Sequence, residues 1–378
     1  MTPRLLLTPY RLPLRAPWRS AHGLRREREG WLVQAHWQDC CGYGDCAPLP
    51  EAGTEPSIAA AKRLSIWLRD HGQSSLETQL AVLERRIPSP TPAADAALET
   101  ALLDLSARLC GLPLSESLVS GQREAQDQEQ ALKPGSEIEL NAALGAVADL
   151  QPDRLDRALA VGFRVLKVKV GVAPIDRELE AIRHLSAQLP TDVRLRLDAN
   201  RAWSLATTAK LIDALRPIAS RIECLEEPCA EATDIQLRTL QAQAPFALAL
   251  DESLPARGWP LDPEQLPLRR LVLKPGVIGG LRPTLSLARR AQAAGLEVVI
   301  TSLIESAAGL WSSAQLAAAT GSTLAHGLAT ADWLAADLGP TPAIQAGRLQ
   351  LPTCPGSGFV HADASAKQKL GRGCSPRL

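Results

Sequence analysis

Apolar and polar positions change their period about a third of the way along the chain. From Trp31 to Trp37 the run WLVQAHW alternates in the manner of a half-buried strand, and Gly42 and Gly44 supply turn signals just after it. The opening segment therefore predicts antiparallel sheet. Ser57 to Asp70 and Ala93 to Cys110 carry apolar residues at helical spacing, so helices follow strands, the order of an α+β lobe. After the polar stretch EAQDQEQALKPGSE, short apolar runs alternate with amphipathic stretches of about helix length. The runs are IELNAAL, FRVLKVKVG, VRLRLDAN, RIECLEEP, FALALDE, LRRLVLKPG and LEVVITS, with HGLAT a weaker last one. Such runs joined by helices predict an α/β fold, a (β/α)8-type barrel rather than an open doubly wound sheet. The expected organisation is an α+β capping domain over 1–130, the barrel over 131–345, and a C-terminal segment over 346–378 that returns to the cap and ends in a frayed tail.

Composition narrows the partners. A chain of 378 residues suits a barrel plus a smaller second domain. Lys plus Arg number 41 and Asp plus Glu 41, so no global field favours nucleic acid or an anionic membrane. A small-molecule partner is the default, and a homo-oligomer is compatible with the sequence. Arg and Pro interrupt the opening MTPRLLLTPYRLPL, which lacks the apolar core of a signal peptide or spanning helix, and the expected location is the cytoplasm. The eight cysteines show no Cys-x-x-Cys spacing, so Cys40, Cys41, Cys46, Cys224 and Cys229 read as reduced packing residues.

The chemistry lies in charged residues at the ends of runs that otherwise read as buried strand: Lys167, Lys169, Asp198, Glu226, Asp251 and Lys274. From Lys169 onward they are spaced by 29, 28, 25 and 23 residues, each about one β/α unit. Active sites of such barrels lie at the C-terminal strand ends, so these residues converge on one mouth. Period-two alternation puts Lys167 and Lys169 on one face and Leu166, Val168 and Val170 on the other. Buried ammonium groups call for anionic partners or a function. Asp198, Glu226 and Asp251 form an all-oxygen set that suits a hard divalent ion, Mg2+ first and Mn2+ second. Such an ion stabilises the enediolate formed when the carbon beside a substrate carboxylate loses its proton, with the flanking lysines as acids and bases. Arg196 alternates with Asp198, and Asn200 lies in the following turn; both are candidate substrate contacts.

The motifs KVKVG, LRLDANRAW, CLEEPC, LDES, LVLKPGVIGG and TSLIESAAGL, in this order, resemble the muconate-lactonising branch of the enolase superfamily. In the first lobe GYGDCAPLPEAGTE and AALETALLDLSAR are similar to the cap of the o-succinylbenzoate synthase family. The resemblance implies a modified, enolase-like barrel with Asp198, Glu226 and Asp251 as Mg2+ ligands and Glu227 as their support. It implies that Lys169 removes the proton alpha to the carboxylate and returns one to a departing hydroxyl, that Lys167 steadies the carboxylate, and that Lys274 acts from the opposite face. It places Ser302, Glu305 and Ser306 in the substrate-contacting loop. The implied reaction is dehydration of 2-succinyl-6-hydroxy-2,4-cyclohexadiene-1-carboxylate, a step toward menaquinone or phylloquinone. N-succinylamino acid racemase, muconate cycloisomerase and dipeptide epimerase share the ion and lysines and stay open, although GLATADWLAADL offers Asp332 and Asp337 without an epimerase's Asp-x-Asp. A Schiff-base lysine aldolase is the alternative from another mechanistic class, and a barrel kept only for binding would be expected to have lost a ligand or lysine. His22, Arg25, Arg26 and Arg28 lie where the cap meets the mouth, but RREREG also reads as a solvated charge run. Trp203, Trp259, Trp311 and Trp333 read as packing, and His184, His326 and His361 lack metal-ligand spacing.

Overall fold

The computed structural model describes residues 1–20, 23–121 and 134–362. The chain opens with an antiparallel sheet, β1 (Arg4–Ser20), β2 (Gly23–Trp37) and β3 (Cys40–Cys46), paired in that order. Helices α1 (Ser57–His71), α2 (Leu76–Glu84), α3 (Pro92–Leu109) and α4 (Leu114–Ser120) follow. β2 alternates as its sequence predicts, with Val33 and Ala35 packed toward α3. Leu32 faces the other way, against Tyr43, Ala307 and Phe359.

Gly42 and Gly44 are not turn residues; they lie inside β3, and the reversal before it falls where Gln38 takes a left-handed φ of 51°. A Cβ at Gly44 would stand 2.0 Å from the Ala97 carbonyl oxygen and one at Gly42 2.2 Å from that of Ala101. The missing side chains let strand backbone rest directly on α3. That helix is apolar almost all round and buries three acids as ties. Asp95 accepts from Arg63 and Arg86, Glu99 from the amides of Leu281 and Arg282, and Asp104 from those of Tyr43 and Ser357. Each acid meets donors, so its burial is compensated.

The second unit begins with β4 (Glu137–Glu139) and β5 (Asn141–Ala146). It continues through α5 (Pro152–Val161), β6 (Val165–Lys169), α6 (Ile175–Gln188), β7 (Arg194–Asp198), α7 (Leu205–Leu215), β8 (Ile222–Glu226), α8 (Asp234–Gln243) and β9 (Ala247–Leu250). It ends with β10 (Arg270–Leu273), α9 (Pro275–Ile278), α10 (Leu281–Ala293), β11 (Glu297–Ile300), α11 (Ala307–Thr320), β12 (Ile344–Gln345) and β13 (Arg348–Gln350). Strands β5 to β11 form one parallel seven-stranded sheet in chain order. The eighth run, HGLAT, forms no full strand but bridges both edges, His326 to Leu140 and Gly327 to Thr301. Those bridges close the sheet into a modified barrel. Leu166, Leu197, Leu225, Leu248 and Leu271 point outward under the helices, while Cys224, Ala247, Ala249 and Val272 form a small inner cluster.

After β13 the chain runs back along the cap, where Gly356 bridges Pro113 and Arg108 donates to the Phe359 carbonyl. The tail from 363 onward lies outside the described residues. Cys40, Cys41, Cys46, Cys224 and Cys229 are free thiols, and no helix among the described residues is long and apolar enough to cross a membrane.

The β3–α3 contact predicts that Gly44→Ala lowers unfolding free energy by about 3 kcal/mol, because backbone cannot yield as a flexible side chain does. Ile58→Ser, at a position 82 % exposed, should change it by less than about 0.5 kcal/mol. Urea titrations of both variants check the pair; equal midpoints would show that α3 and β3 separate freely.

Candidate active site

The ends of the parallel strands carry the charged residues into one cavity of about 410 Å³. Lys167, Lys169, Asp198, Asn200, Asp251, Glu252 and Lys274 line it, with Ser302, Leu303 and Ile304 as one wall and Leu49, Glu51 and Ala52 of the cap above. Lys169, Asp198 and Glu226 are register partners on β6, β7 and β8, so they stand at one level. Lys274 stands on the far side, where β10 lies four strands from β6. Left-handed φ values at Asn200 (42°), Glu227 (41°) and Ile304 (61°) gather at this rim, where the chain leaves the strands sharply. Glu178 holds the turn after β6 by accepting from the amides of Gly171, Val172 and Ala173.

Lys167 Nζ donates to Glu226 and lies 3.0 Å from Asp198 Oδ2. Burial alone would lower its pKa, but Asp198, Glu226 and Asp251 outweigh that and raise it. Lys274 is raised the same way against its burial, chiefly by Asp251, to which it donates. Asp198 is pushed up by burial, but Lys167 and Lys169 bring it below the ordinary carboxylate value. Glu226, 1 % exposed, lies behind Lys167 and stays above it. Lys169 Nζ donates to Asn200 Oδ1 at 2.7 Å, and Asn200 Nδ2 donates to Glu252 at 3.3 Å. Burial first, then Asp251, Glu227 and Asp198, push Glu252 up to about 7. Glu227 accepts from the Asp251 and Ser253 amides and from the Ser253 hydroxyl, which fixes the loop carrying Asp251.

Four carboxylates, Asp198, Glu226, Asp251 and Glu252, meet three lysines at the mouth, and Glu227 lies behind them holding the loop that carries Asp251, so negative charge is in excess at full ionisation. A divalent cation would offset that excess, and the oxygen-only donors suit a hard one. Glu226 Oε1 is buried without a hydrogen-bond partner, with the Arg196 guanidinium 3.6 Å away, so it keeps unused acceptor capacity. As placed, no three acids among the described residues converge on one point, because Lys167 and Lys274 hold them. To hold an ion together, Asp198, Glu226 and Asp251 would have to be released by those ammonium groups. The donor set fits the ion.

Three sequence-derived candidates lie elsewhere. Arg196 is 1 % exposed and committed to Glu223 at 2.9 Å, Asn141 at 3.1 Å and the Ala325 carbonyl at 2.9 Å. It faces the barrel interior one layer below Asp198, so it supports the site and cannot reach a substrate. Glu305 accepts from the Leu303 amide, and Ser306 gives its amide and hydroxyl to Asp45 of the cap. Both turn away because α11 begins there. Ser302 does line the cavity, with its hydroxyl 2.7 Å from that of Thr330. Arg28 is buried on backbone carbonyls, Arg25 pairs with Glu51, Arg26 is exposed, and His22 lies outside the described residues. Trp333 packs against Tyr10, Leu12, Ile304 and Leu334, as expected, and also lines the cavity. Glu252 was legible as the neighbour of Asp251 in LDES, Thr330 ends the run HGLAT and Glu51 lies in GYGDCAPLPEAGTE, but neither of these last two was singled out.

Residues 152–365 match the family described as enolase C-terminal domain-like. That is more than half of the chain. It belongs to the enolase superfamily. Within the superfamily the chain is 32 % identical over 330 residues to o-succinylbenzoate synthase of Yersinia pseudotuberculosis serotype I (strain IP32953), covering 87 % of this chain and 90 % of that one. Dipeptide epimerase from Methylococcus capsulatus, solved with Mg and the dipeptide L-Arg-D-Lys, superposes with a TM-score of 0.80 at 26 % identity over 96 % of this chain and 100 % of that one. Muconate lactonizing enzyme from Pseudomonas fluorescens shares the fold, with a TM-score of 0.76 at 19 % identity over 97 % and 98 % of the two chains. This superfamily member is an enzyme of the muconate-lactonising subgroup and resembles o-succinylbenzoate synthase.

His326 contributes to stability rather than to the site of this enzyme. Its Nδ1 accepts from the Ile300 amide at 2.9 Å, and burial, helped by Arg196, lowers its pKa from 6.5 to about 4. A depressed folded-state pKa gives stability that is full above the unfolded pKa and is lost as pH falls through the folded one. From pH 6.5 to 4.5 the wild type should therefore lose about 2 kcal/mol more than His326→Asn. Urea midpoints at the two pH values read this, and identical losses would remove His326 as the cause.

Proposed function

We propose that this enzyme dehydrates 2-succinyl-6-hydroxy-2,4-cyclohexadiene-1-carboxylate to o-succinylbenzoate. The observation that carries the reading is the placement of Lys169 and Lys274 on opposite sides of one cavity, with Asp198, Glu226 and Asp251 on the strands between them. The relationship to o-succinylbenzoate synthase over 87 % of the chain supports this substrate. Asp198, Glu226 and Asp251 would hold Mg2+, with Mn2+ as the second choice, and the ion would supply positive charge to the substrate carboxylate.

Lys169, as the free amine, takes the proton from the ring carbon that bears the carboxylate, and the electron pair passes into that carboxylate. The pair returns as the neighbouring carbon–oxygen bond breaks. The Lys169 ammonium then protonates the departing hydroxide, so water leaves and the amine is restored. The new double bond completes an aromatic ring, which makes the step downhill. Asn200, held by Glu252, orients the Lys169 amine. Lys167 offers its ammonium beside the substrate carboxylate, and Lys274 keeps a cation on the opposite ring face while negative charge builds.

Racemisation of N-succinylamino acids is the second reading, because lysines on two faces also suit removal and return of a proton on opposite sides. Dipeptide epimerisation has less support here, since Asp337 accepts from the amides of Ala307 and Leu338.

Purified enzyme with Mg2+ should bleach the cyclohexadiene absorbance, and excess chelator should stop it. Lys169→Ala should lower kcat by at least about 10³-fold, and Lys274→Ala by a similar factor. Undiminished dehydration by folded Lys169→Ala would sink the mechanism. No turnover in either metal condition would move the assignment to racemisation, read next by deuterium exchange at the alpha carbon of N-succinylamino acids.

A further inference from the structure

Ser302, Leu303 and Ile304 form a wall of the cavity. Ile304 has a φ of 61°, a left-handed conformation that a β-branched side chain resists. Such a backbone persists only when its surroundings over-determine it.

The ties come from the cap. Arg28, 1 % exposed, donates from Nε to the Ile304 carbonyl at 3.2 Å while its other nitrogens bind the carbonyls of Pro48 and Ala47. Asp45 on β3 takes the Ser306 amide and hydroxyl on Oδ2, each at 2.7 Å, and the Tyr10 hydroxyl on Oδ1 at 2.6 Å. Asp45 thereby meets the N-terminus of α11, where free amides favour an anion. Gly309 makes room for it, since a Cβ there would stand 3.2 Å from Asp45 Oδ2 and 2.6 Å from Glu305 Cβ. The Ile304 side chain packs with Tyr10, Leu12 and Leu334. The cap thus fastens the strained segment at Ile304 and Ser306, its Ser302 end is held by Gly327 and Thr330 of the barrel, and Ser302 to Ile304 face the cavity.

We infer that Arg28, Asp45 and Tyr10 are positioning residues: they lock the Ser302–Ser306 segment in its strained form, and the cap thereby sets the shape of the binding cavity from outside it. None of the three lines the cavity. They act on substrate fit through Leu303 and Ile304, and leave the lysines and their acids in place.

The test compares Arg28→Met, Asp45→Asn and the milder Tyr10→Phe and Ser306→Ala with wild type, keeping variants whose thermal unfolding remains cooperative. Hydrogen–deuterium exchange should rise about tenfold or more in peptides covering residues 301–307 and stay unchanged in those covering 165–170. The kinetic arm rests on the proposed dehydration: KM should rise about tenfold while kcat changes less than about threefold, with an unshifted pH profile. Wild-type exchange at 301–307 in folded Arg28→Met and Asp45→Asn would overturn the inference, as would a fall in kcat at constant KM. If wild type fails to turn over the cyclohexadiene, the proposed function fails while the exchange comparison still decides whether the cap holds the segment.

Discussion

Lys167 lies between Asp198 and Glu226, and the mouth of the barrel is organised around that contact. Buried ammonium and carboxylate groups each cost several kcal/mol to desolvate, and only mutual proximity offsets this. Parallel register sets Asp198 and Glu226 side by side, and Lys167, whose own register partner is Arg196, reaches up to both from one layer below. Small inner residues, Ala247 and Ala249 among them, leave room for the lysine stems. The cost is therefore met jointly by the register that aligns the acids and by the lysine stem that spans one layer of the sheet.

The cap extends the same logic with neutral donors. Glu99 on α3 accepts amides at the start of α10, Asp104 accepts amides from β3 and the returning C-terminal segment, and Asp45 accepts the start of α11. Glu99 and Asp45 would be costly to bury alone and gain these partners only when cap and barrel are docked, whereas Asp104, which Arg108 also pairs, ties β3 and the C-terminal segment to α3. Docking is thus specified by polar complementarity as well as by apolar area. The cavity roof formed by Leu49, Glu51 and Ala52 inherits its position from those ties.

The strand-end acids and lysines were legible because a barrel repeats one β/α unit, so chemistry spaced by that unit lands on one rim. The outward Leu166 and Val168 and the inward Lys167 and Lys169 of β6 followed from period-two alternation alone. Alternation failed where the backbone departs from it. The register shifts between β7 and β8 opposite Leu195 and Arg196, and this bulge lets Glu223 join Cys224 and Glu226 inside the barrel. Arg196 finds its partner there, one layer below the cavity, which no linear pattern encodes. Glu305 and Ser306 sit within a motif that does reach the cavity, but helix α11 starts at Ala307 and rotates them toward Asp45. Gly42 and Gly44 read as turns because glycine favours turns, whereas here they admit a helix against a strand. Glu51, in a cap loop, has no periodic signature, and Thr330 ends only the weakest of the eight runs.

The lower layer of the barrel bears on what the upper one needs. Arg196 and Arg270 are matched there by Glu223 and Glu297, so that layer is close to neutral in itself. Arg196 lies 3.6 Å from Glu226 and lends it some positive potential, but its nearer partner is Glu223. The negative excess at the mouth is therefore not relieved from beneath. Two ways of relieving it remain, uptake of protons or binding of a cation from the cavity side. The upward push on Glu252, to about 7, is the first expressed in part. The second neutralises the same charge without giving up any carboxylate as an acceptor. A proton and a divalent ion would then compete for the same excess of negative charge, and an ion would be favoured as pH rises because each proton it displaced would be easier to lose.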